Sequence, residues 1–240
     1  MLLHGADDDL SSWAREASLV ERCDDLDALV VLPDGGRVGF YTDWERPDVT
    51  GVPPRWESFH LDELPALLQD RYRAGSTRVV AGVSMGGYGA IAYAAKRPGM
   101  FAAAASYSGL LHTTRRGIPT FVALMLLREH EHRHALWGSP RHSRARWLAN
   151  DPYHLAGELR GTALYLAHAD GKPLPGDDVP LGTRPLERWV APTTECLSAR
   201  LVELGIPATI SRGPGAHEWP TWRRELDRSW PFLLAGLGRA

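Results

Sequence analysis

The sequence predicts an α/β fold in which a doubly wound, mostly parallel sheet carries helices on both faces. Short apolar segments typical of buried parallel strands alternate along the chain with segments of helical spacing, and no segment repeats at a fixed period. A glycine-rich turn joins one of these strands directly to a helix. The length of 240 residues suits one sizeable core better than two. We therefore expect a single domain over residues 1–240.

Each element is predicted from its apolar spacing and from the turn residues that bound it. The strands are predicted at 26–32, 77–81, 102–106, 162–167 and 207–211. The helices are predicted at 10–21, 59–72, 87–97 and 193–204, with a last helix that ends near residue 234. A helical insert is predicted at about 111–155, between the third and fourth of these strands.

The pattern G-x-S-x-G occurs at Gly82, Ser84 and Gly86, between the predicted strand and helix. Ending a buried strand and starting a helix within two residues forces the middle residue into a strained turn, so its neighbours must be small. Such a turn presents the Ser84 hydroxyl at the carboxyl edge of the sheet, as in a nucleophile elbow. The pattern is short, and a buried hydroxyl in a glycine-rich turn is the alternative interpretation.

A serine hydroxyl needs a neighbouring base to become a nucleophile, and that base needs an acid to orient it. In this architecture the order along the chain is serine, acid, histidine, each at the carboxyl end of a strand. His217 lies in a glycine-rich loop after the last predicted strand, and it is the only one of the ten histidines in such a position. His217 is therefore the predicted base, and a loop histidine bonded only to backbone is the alternative.

The acid is expected after the penultimate predicted strand, 162–167, and before the last helix and strand. The candidate carboxylates in this segment are Asp170, Asp177, Asp178 and Glu187. Asp170 is closest to the end of the strand, but spacing alone does not choose among them. The oxyanion hole is expected from fold logic to use the backbone N–H groups of Met85, after the nucleophile, and of Ala6, after the first apolar segment.

Four segments together carry a resemblance to a known family: residues 2–5, 40–44, 82–87 and 215–222. They resemble the esterase family that contains esterase D, tributyrin esterases and the antigen 85 mycolyltransferases of actinobacteria. The resemblance implies an α/β-hydrolase fold, no cofactor and a triad of Ser, Glu or Asp, and His. By the same resemblance Glu187 takes the place of the acid.

The resemblance also indicates residues that would contact substrate. Mycolyltransferases carry different residues at the positions of His4, Asp7 and His112, which are associated there with the sugar and its acyl acceptor, so transfer to trehalose is not the favoured activity. The candidate substrate-binding residues are Asp7, His112 and Trp219. The aromatic segment 40–44 and Trp219 predict an apolar acyl site.

Composition and charge argue against several other classes of protein. With 27 basic and 29 acidic residues in no marked block, we expect no nucleic-acid partner. The longest strictly apolar run, 121–127, is far shorter than the roughly 20 residues of a membrane span. Cys23 and Cys196 lack the spacing of a metal or redox site, and the four histidines at 130–142 lack a known ligand order, so no metal site is expected.

The first residues, 1–5, have the pattern of the end of a strand, so the opening strands of the sheet are expected to be missing. This segment has neither the charged start nor the apolar stretch of a signal peptide. We therefore expect a cytoplasmic protein as the sequence stands, and a secreted one if the true start lies upstream.

Three hypotheses about function follow from these patterns. The leading one is a serine carboxylic-ester hydrolase that acts through an acyl-enzyme on a small-molecule ester with an apolar acyl group. The second is an acyltransferase that passes the acyl group to a sugar or an alcohol and shares every catalytic residue with the first. The third is a non-catalytic binding module on the same fold.

Overall fold

The computed structural model, which describes residues 1–24 and 26–238, is organised around a sheet of five parallel strands. The strands are β1 (Leu2–Leu3), β2 (Val79–Val83), β3 (Ala103–Tyr107), β4 (Ala163–Ala169) and β5 (Thr209–Gly213). Their order in the sheet follows the order of the chain. The carboxyl ends of all the strands therefore meet at one edge, which is where open parallel sheets bind their ligands.

Helices connect the strands and lie on both faces of the sheet. They are α1 (Ser12–Glu16), α2 (Leu19–Cys23), α3 (Trp56–Ser58), α4 (Leu64–Tyr72), α5 (Met85–Lys96), α6 (Ile118–Arg128), α7 (Arg144–Ala149), α8 (Thr183–Glu203) and α9 (Trp219–Gly236). A π-helical turn at Phe59–Glu63 joins α3 to α4, and a 3-10 turn at Ala156–Leu159 precedes β4. None of the helices in the described residues is long and apolar enough to span a membrane.

The two faces of the sheet bury two separate apolar clusters. Successive residues of a strand point to opposite faces, so Val80 lies in one cluster whereas Ala81 and Val83 lie in the other. The first cluster includes side chains of α5 and α8, and the second includes those of α1, α2 and α9. Because helices cover both faces, β2 to β4 are apolar almost throughout, whereas the edge strand β5 is more polar and partly exposed. All four strands lie close to their predicted positions. The α/β fold class is confirmed.

The predicted buried strand at 26–32 is wrong. This segment belongs to no strand and bends at Ala28, and Leu29 and Val30 are 46% and 37% exposed. The N–H of Leu2 in β1 donates to the carbonyl of Val31 at 2.9 Å, and this hydrogen bond joins the segment to the sheet. The segment lies outside β1, at the edge of the sheet, so one side of it faces solvent. An apolar run by itself does not reveal whether neighbours cover it.

Two predicted helices differ in their bounds. The predicted helix at 10–21 is divided into α1 and α2, because Ser18 adopts a left-handed conformation with φ 45° between them. The helix predicted at 193–204 begins earlier, since α8 starts at Thr183 and contains Pro192. Proline is uncommon inside helices because it lacks the N–H donor. Pro192 therefore kept the first half of α8 from being predicted as part of the helix. This half carries Glu187.

The segment predicted as a helical insert, 111–155, contains α6 and α7 separated by turns. It packs on the aromatic segment 40–44, where the ring centroids of Phe40 and Trp137 are 5.9 Å apart. The indole N–H of Trp137 also donates to Thr42 Oγ1 at 3.1 Å. The aromatic side chains of segment 40–44 are therefore part of the core.

Candidate active site

Ser84 lies between the end of β2 and the start of α5, in the strained turn that the sequence pattern predicts. Its backbone has φ 52° and ψ −116°, in a region that residues other than glycine seldom adopt. A Cβ on Gly82 would lie 2.2 Å from the carbonyl oxygen of Gly86, and a Cβ on Gly86 would lie 2.2 Å from that of Leu3. Both glycines are therefore required by the close approach of backbone around Ser84.

His217 brings an imidazole to this serine from the other end of the chain. It lies in the loop between β5 and α9, and its Nε2 atom is 2.8 Å from Ser84 Oγ across 133 residues of sequence. The N–H of His217 donates to the carbonyl of Thr183 at 3.1 Å, and the N–H of Ala216 donates to Thr221 Oγ1 at 3.0 Å. These bonds fix the loop against α8 and α9, so the ring is held beside Ser84.

The carboxylate of Glu187 contacts the other nitrogen of the same ring. Its Oε2 atom is 2.7 Å from His217 Nδ1, and its Oε1 atom accepts bonds from the N–H of Ala169 at 2.7 Å and from Ser108 Oγ at 2.9 Å. Burial by itself would raise the pKa of the Glu187 carboxyl, but the hydrogen bond and charge of His217, with the bonds from Ala169 and Ser108, hold that pKa below its ordinary value. Glu187 is therefore an anion at neutral pH.

The geometry separates Glu187 from the other acidic candidates. Asp170 accepts a bond from the N–H of Lys172, two residues away, and half of its side chain is exposed. Asp177 forms a paired contact with Arg224 at 2.9 and 3.0 Å. Asp178 is exposed. None of these three carboxylates contacts His217, which leaves Glu187 as the acidic partner among the four candidates.

The three side chains form a line in which proton positions follow from the contacts. Glu187 is ionised and can only accept, so the proton of a neutral His217 ring is placed on Nδ1. The lone pair of Nε2 then faces the hydroxyl proton of Ser84. This arrangement can take a proton from a serine that attacks an electrophile and can return it to a leaving group.

Ser108 and Trp222 belong to the same site, and sequence reasoning missed both. Ser108 follows β3 directly, with φ 52°, and its hydroxyl accepts a bond from the indole N–H of Trp222 at 3.2 Å while donating to Glu187. The Trp222 ring also meets the His217 ring edge to face, at 5.2 Å between centroids. The position of Ser108 after a parallel strand, like that of Ser84, is the signal that could have indicated it.

Two backbone N–H groups beside Ser84 remain available for an oxyanion. Met85 is the first residue of α5, where an N–H has no partner within the helix. A Cβ on Gly5 would lie 3.6 Å from Ser84 Cβ, so the predicted donor Ala6 follows a residue that lies against Ser84. Within residues 1–24 and 26–238, neither the Met85 N–H nor the Ala6 N–H donates to a protein acceptor.

A buried histidine holds the loop that contains Ala6. His4 Nδ1 donates to the carbonyl of Gly5 at 2.8 Å, and its Nε2 accepts from the N–H of Gly35 at 2.9 Å. The hydroxyl of Tyr41 donates to the carbonyl of His4 at 3.0 Å. Segment 40–44 therefore supports the loop beside Ser84 from inside the core.

The three residues predicted to bind substrate have partners within the protein. Asp7 forms an ion pair with Arg128 of α6, and His112 Nδ1 lies 3.0 Å from the buried Asp151 carboxylate. Trp219 is 7% exposed and packs edge to face against other rings. Its contacts are those of a core residue. A role in substrate binding remains a prediction for all three.

The sequence matches known proteins along almost its whole length. The model of the family described as "Putative esterase" matches residues 2–233. The chain belongs to this esterase family. It is 30% identical over 244 residues to the diacylglycerol acyltransferase/mycolyltransferases Ag85B of Mycolicibacterium smegmatis and Ag85A of Mycobacterium tuberculosis. The alignments cover 97% of this chain and 74% and 71% of those proteins, respectively.

The fold of this esterase-family member is shared with solved structures. Mycobacterium tuberculosis MPT51 matches with a TM-score of 0.84 at 22% identity, over 98% of this chain and 88% of that one. FphF, a fluorophosphonate-binding serine hydrolase of Staphylococcus aureus, matches with a TM-score of 0.72 at 18% identity, over 98% and 82%. The family member therefore has an α/β-hydrolase fold, and its family and relatives identify an enzyme of the esterase or acyltransferase class.

Proposed function

We propose that this enzyme is a serine carboxylic-ester hydrolase that works through an acyl-enzyme. The observation that carries the proposal is the pair of short contacts that joins Ser84 Oγ to His217 Nε2 at 2.8 Å and His217 Nδ1 to Glu187 at 2.7 Å. Ser84 is the nucleophile, His217 is the general base and acid, and Glu187 orients the imidazole and stabilises its charged form.

In the first half of the reaction Ser84 Oγ attacks the ester carbonyl carbon while His217 Nε2 takes the hydroxyl proton. The carbonyl oxygen becomes an oxyanion, which the N–H groups of Ala6 and Met85 would stabilise. Collapse of this intermediate breaks the bond to the alcohol oxygen, and His217 gives its proton to the departing alcohol. The product that stays behind is an ester of the acyl group with Ser84.

In the second half water takes the place of the alcohol. His217 removes a proton from the water as its oxygen attacks the acyl carbon, and the same oxyanion donors act again. The bond to Ser84 Oγ then breaks, the proton returns to Ser84, and the carboxylic acid leaves. The free enzyme is restored without a cofactor in this scheme.

Apolar side chains of α6 and α8 that reach solvent are a candidate surface for an apolar acyl group. Trp189 follows Glu187 by two residues on α8, and its ring lies 4.6 Å from that of Phe121 on α6. Leu124, one helical turn further along α6, is 59% exposed. These side chains offer solvent-facing apolar area, unlike the buried rings of Tyr41, Trp44 and Trp219.

A fluorophosphonate probe tests the proposal directly. Such a probe phosphonylates an activated serine, so we expect the native enzyme to gain one probe mass on the peptide that contains Ser84, and the heat-denatured enzyme to gain none. Labelling at another residue, or no labelling of folded protein, would remove the proposal and favour a binding module on the same fold.

Acyl transfer to a sugar or an alcohol is the second candidate function. The observation that favours it is the 30% identity to two proteins named diacylglycerol acyltransferase/mycolyltransferase. Both reactions share the acyl-enzyme and differ in the acceptor that attacks it. Mass analysis of the products from p-nitrophenyl butyrate, with and without trehalose or glycerol, separates them: free butyrate alone supports hydrolysis, and a new sugar or glycerol ester supports transfer.

The role of Glu187 gives a prediction of its own. Glu187→Gln keeps the size of the side chain but removes its charge and offers an amide N–H to His217 Nδ1, so the ring is held in the wrong tautomer. We expect kcat for a p-nitrophenyl ester to fall about 10³- to 10⁴-fold, with KM little changed. The matched control is Asp170→Asn, which alters an exposed carboxylate and is expected to keep full activity. Full activity in Glu187→Gln and loss in Asp170→Asn would reverse the assignment of the acid.

A further inference from the structure

Three side chains outside the triad converge on one point, where the two ends of the segment predicted as the insert meet. Both His112 and His154 direct Nδ1 at the same oxygen, Oδ2 of Asp151, at 3.0 and 3.2 Å. The potential ligand atoms of these three residues all lie within 4.8 Å of one another. The proposed ester chemistry uses none of them. The cluster also does not include the histidines at 130–142 that the sequence presented as a group.

The carboxylate at the centre is held in place before any ligand arrives. Asp151 is buried, and its Oδ1 accepts from the N–H groups of Thr113 and Tyr153 at 3.2 and 3.1 Å. Its Oδ2 accepts from the N–H and the hydroxyl of Thr114 at 3.0 and 2.6 Å. Such outer donors fix a ligating carboxylate and keep it ionised, as the partners of metal ligands do.

The imidazoles of His112 and His154 differ in solvent exposure, and the more exposed one leaves a path by which an ion can reach Asp151. The His112 ring stacks on the Tyr153 ring, with centroids 4.2 Å apart and planes at 21°. Its side chain is 15% exposed, whereas that of His154 is 36% exposed. One histidine is therefore fixed by stacking, and the other borders solvent.

We propose that His112, Asp151 and His154 form a binding site for a divalent transition metal, of which Zn²⁺ is the best match. Two imidazole nitrogens and one carboxylate oxygen are a ligand set that Zn²⁺ takes readily, with water in the remaining position. Nitrogen and oxygen ligands of one Zn²⁺ ion lie about 3 Å apart when each is about 2 Å from the metal, which is the spacing of both imidazoles from Asp151. The metal replaces the two Nδ1 protons, and each neutral ring carries its proton on Nε2.

The position of the site in the chain indicates what the metal does. His112 lies near the start of the segment predicted as the insert, and Asp151 and His154 lie near its end, with Asp151 39 positions after His112. A bound ion therefore links the two ends of the segment that carries α6 and α7. Because the folded protein binds the ion and the unfolded chain lacks the assembled site, the ion raises the stability of the folded enzyme.

The test compares metal binding in three variants. The purified enzyme is stripped with a chelator and titrated with Zn²⁺ by calorimetry, with Co²⁺ absorption as a second readout for nitrogen ligation. We expect one ion per chain and a rise in the melting temperature. His154→Ala, and separately His112→Ala, are expected to weaken binding at least about tenfold and to remove the thermal shift.

The control variant is His132→Ala with His134→Ala. His132 is exposed and His134 is partly exposed, and their ring centroids lie 5.7 Å apart. They are a pair of histidines at which an ion could bind without a built site. Binding and thermal shift are expected to be unchanged in this control. If instead the control loses the ion, or both His154→Ala and His112→Ala bind as tightly as the parent, the site is not at Asp151. Absence of binding to the parent enzyme also overturns the proposal.

Ester hydrolysis is a separate readout. Since no residue of the triad is a ligand of this metal site, ester hydrolysis is expected to persist in the metal-stripped enzyme. The outcome of the metal test is therefore independent of the test of the proposed function.

Discussion

Ser84→Ala is expected to lower kcat for a p-nitrophenyl ester by about 10⁶-fold. The variant lacks the oxygen that attacks the carbonyl carbon, so no acyl-enzyme forms, and the remaining activity comes from the oxyanion donors acting on bound ester and water. KM is expected to change little, because the hydroxyl contributes to the reacting step and hardly to the binding of the ground state. Steady-state kinetics on the folded variant measure both quantities.

Ser106→Ala provides a matched control for this variant. Ser106 lies in β3, next to β2, and is fully buried, and its hydroxyl has no hydrogen-bond partner in the part of the chain that the structure describes. Removing it changes the same number of atoms without touching the triad, so full activity is expected. Substantial hydrolysis by Ser84→Ala, at more than a few per cent of the parent rate, would show that another group is the nucleophile.

His217→Gln is expected to cause a loss of the same order, about 10⁶-fold in kcat. Glutamine fills the space of the ring but cannot take a proton from Ser84, so the hydroxyl remains a weak nucleophile. The Ser84→Ala, His217→Gln double variant is expected to be scarcely worse than either single variant, because the residues act as one unit. Kinetics on the three proteins give the coupling energy.

The comparison for His217 is His142→Ala, an exposed histidine of the insert that is expected to keep full activity. Circular dichroism and thermal melting of each variant show whether the fold is retained, since His217→Gln also loses the edge-to-face contact with Trp222. Losses that multiply in the double variant would mean that Ser84 and His217 act independently, contrary to the proposed mechanism.

Much of the fold could be predicted from local sequence. β2 to β4 are visible as apolar runs because helices cover both faces of the sheet, and the elbow is visible because backbone packs on both of its glycines. Ser84 and His217 could be proposed from the sequence because Ser84 directly follows β2 and His217 lies in the loop after β5, in an order that this architecture repeats. The segment 26–32 is equally apolar but lies at the edge of the sheet and is partly exposed. Its own residues do not show that a further strand is missing beside it.

The acid could not be chosen from spacing. Glu187 lies on the first half of α8, which Pro192 concealed, and its selection over Asp170 depends on how α8 packs beside β4. The resemblance pointed to Glu187, and the contact with His217 at 2.7 Å gives the physical reason. Ser108 escaped notice because its bond to Glu187 joins positions 79 residues apart.

The sequence by itself determined the α/β fold class, the turn at Ser84 and the placement of His217 after the last strand, because these depend on neighbouring residues and on strand order. Only the tertiary structure decided which carboxylate meets the imidazole, which N–H groups remain free beside Ser84, and that His112 and His154 share Asp151. These contacts join segments that are far apart in the chain. Whether two such side chains come within hydrogen-bond distance depends on how entire helices and strands pack, which local sequence does not show.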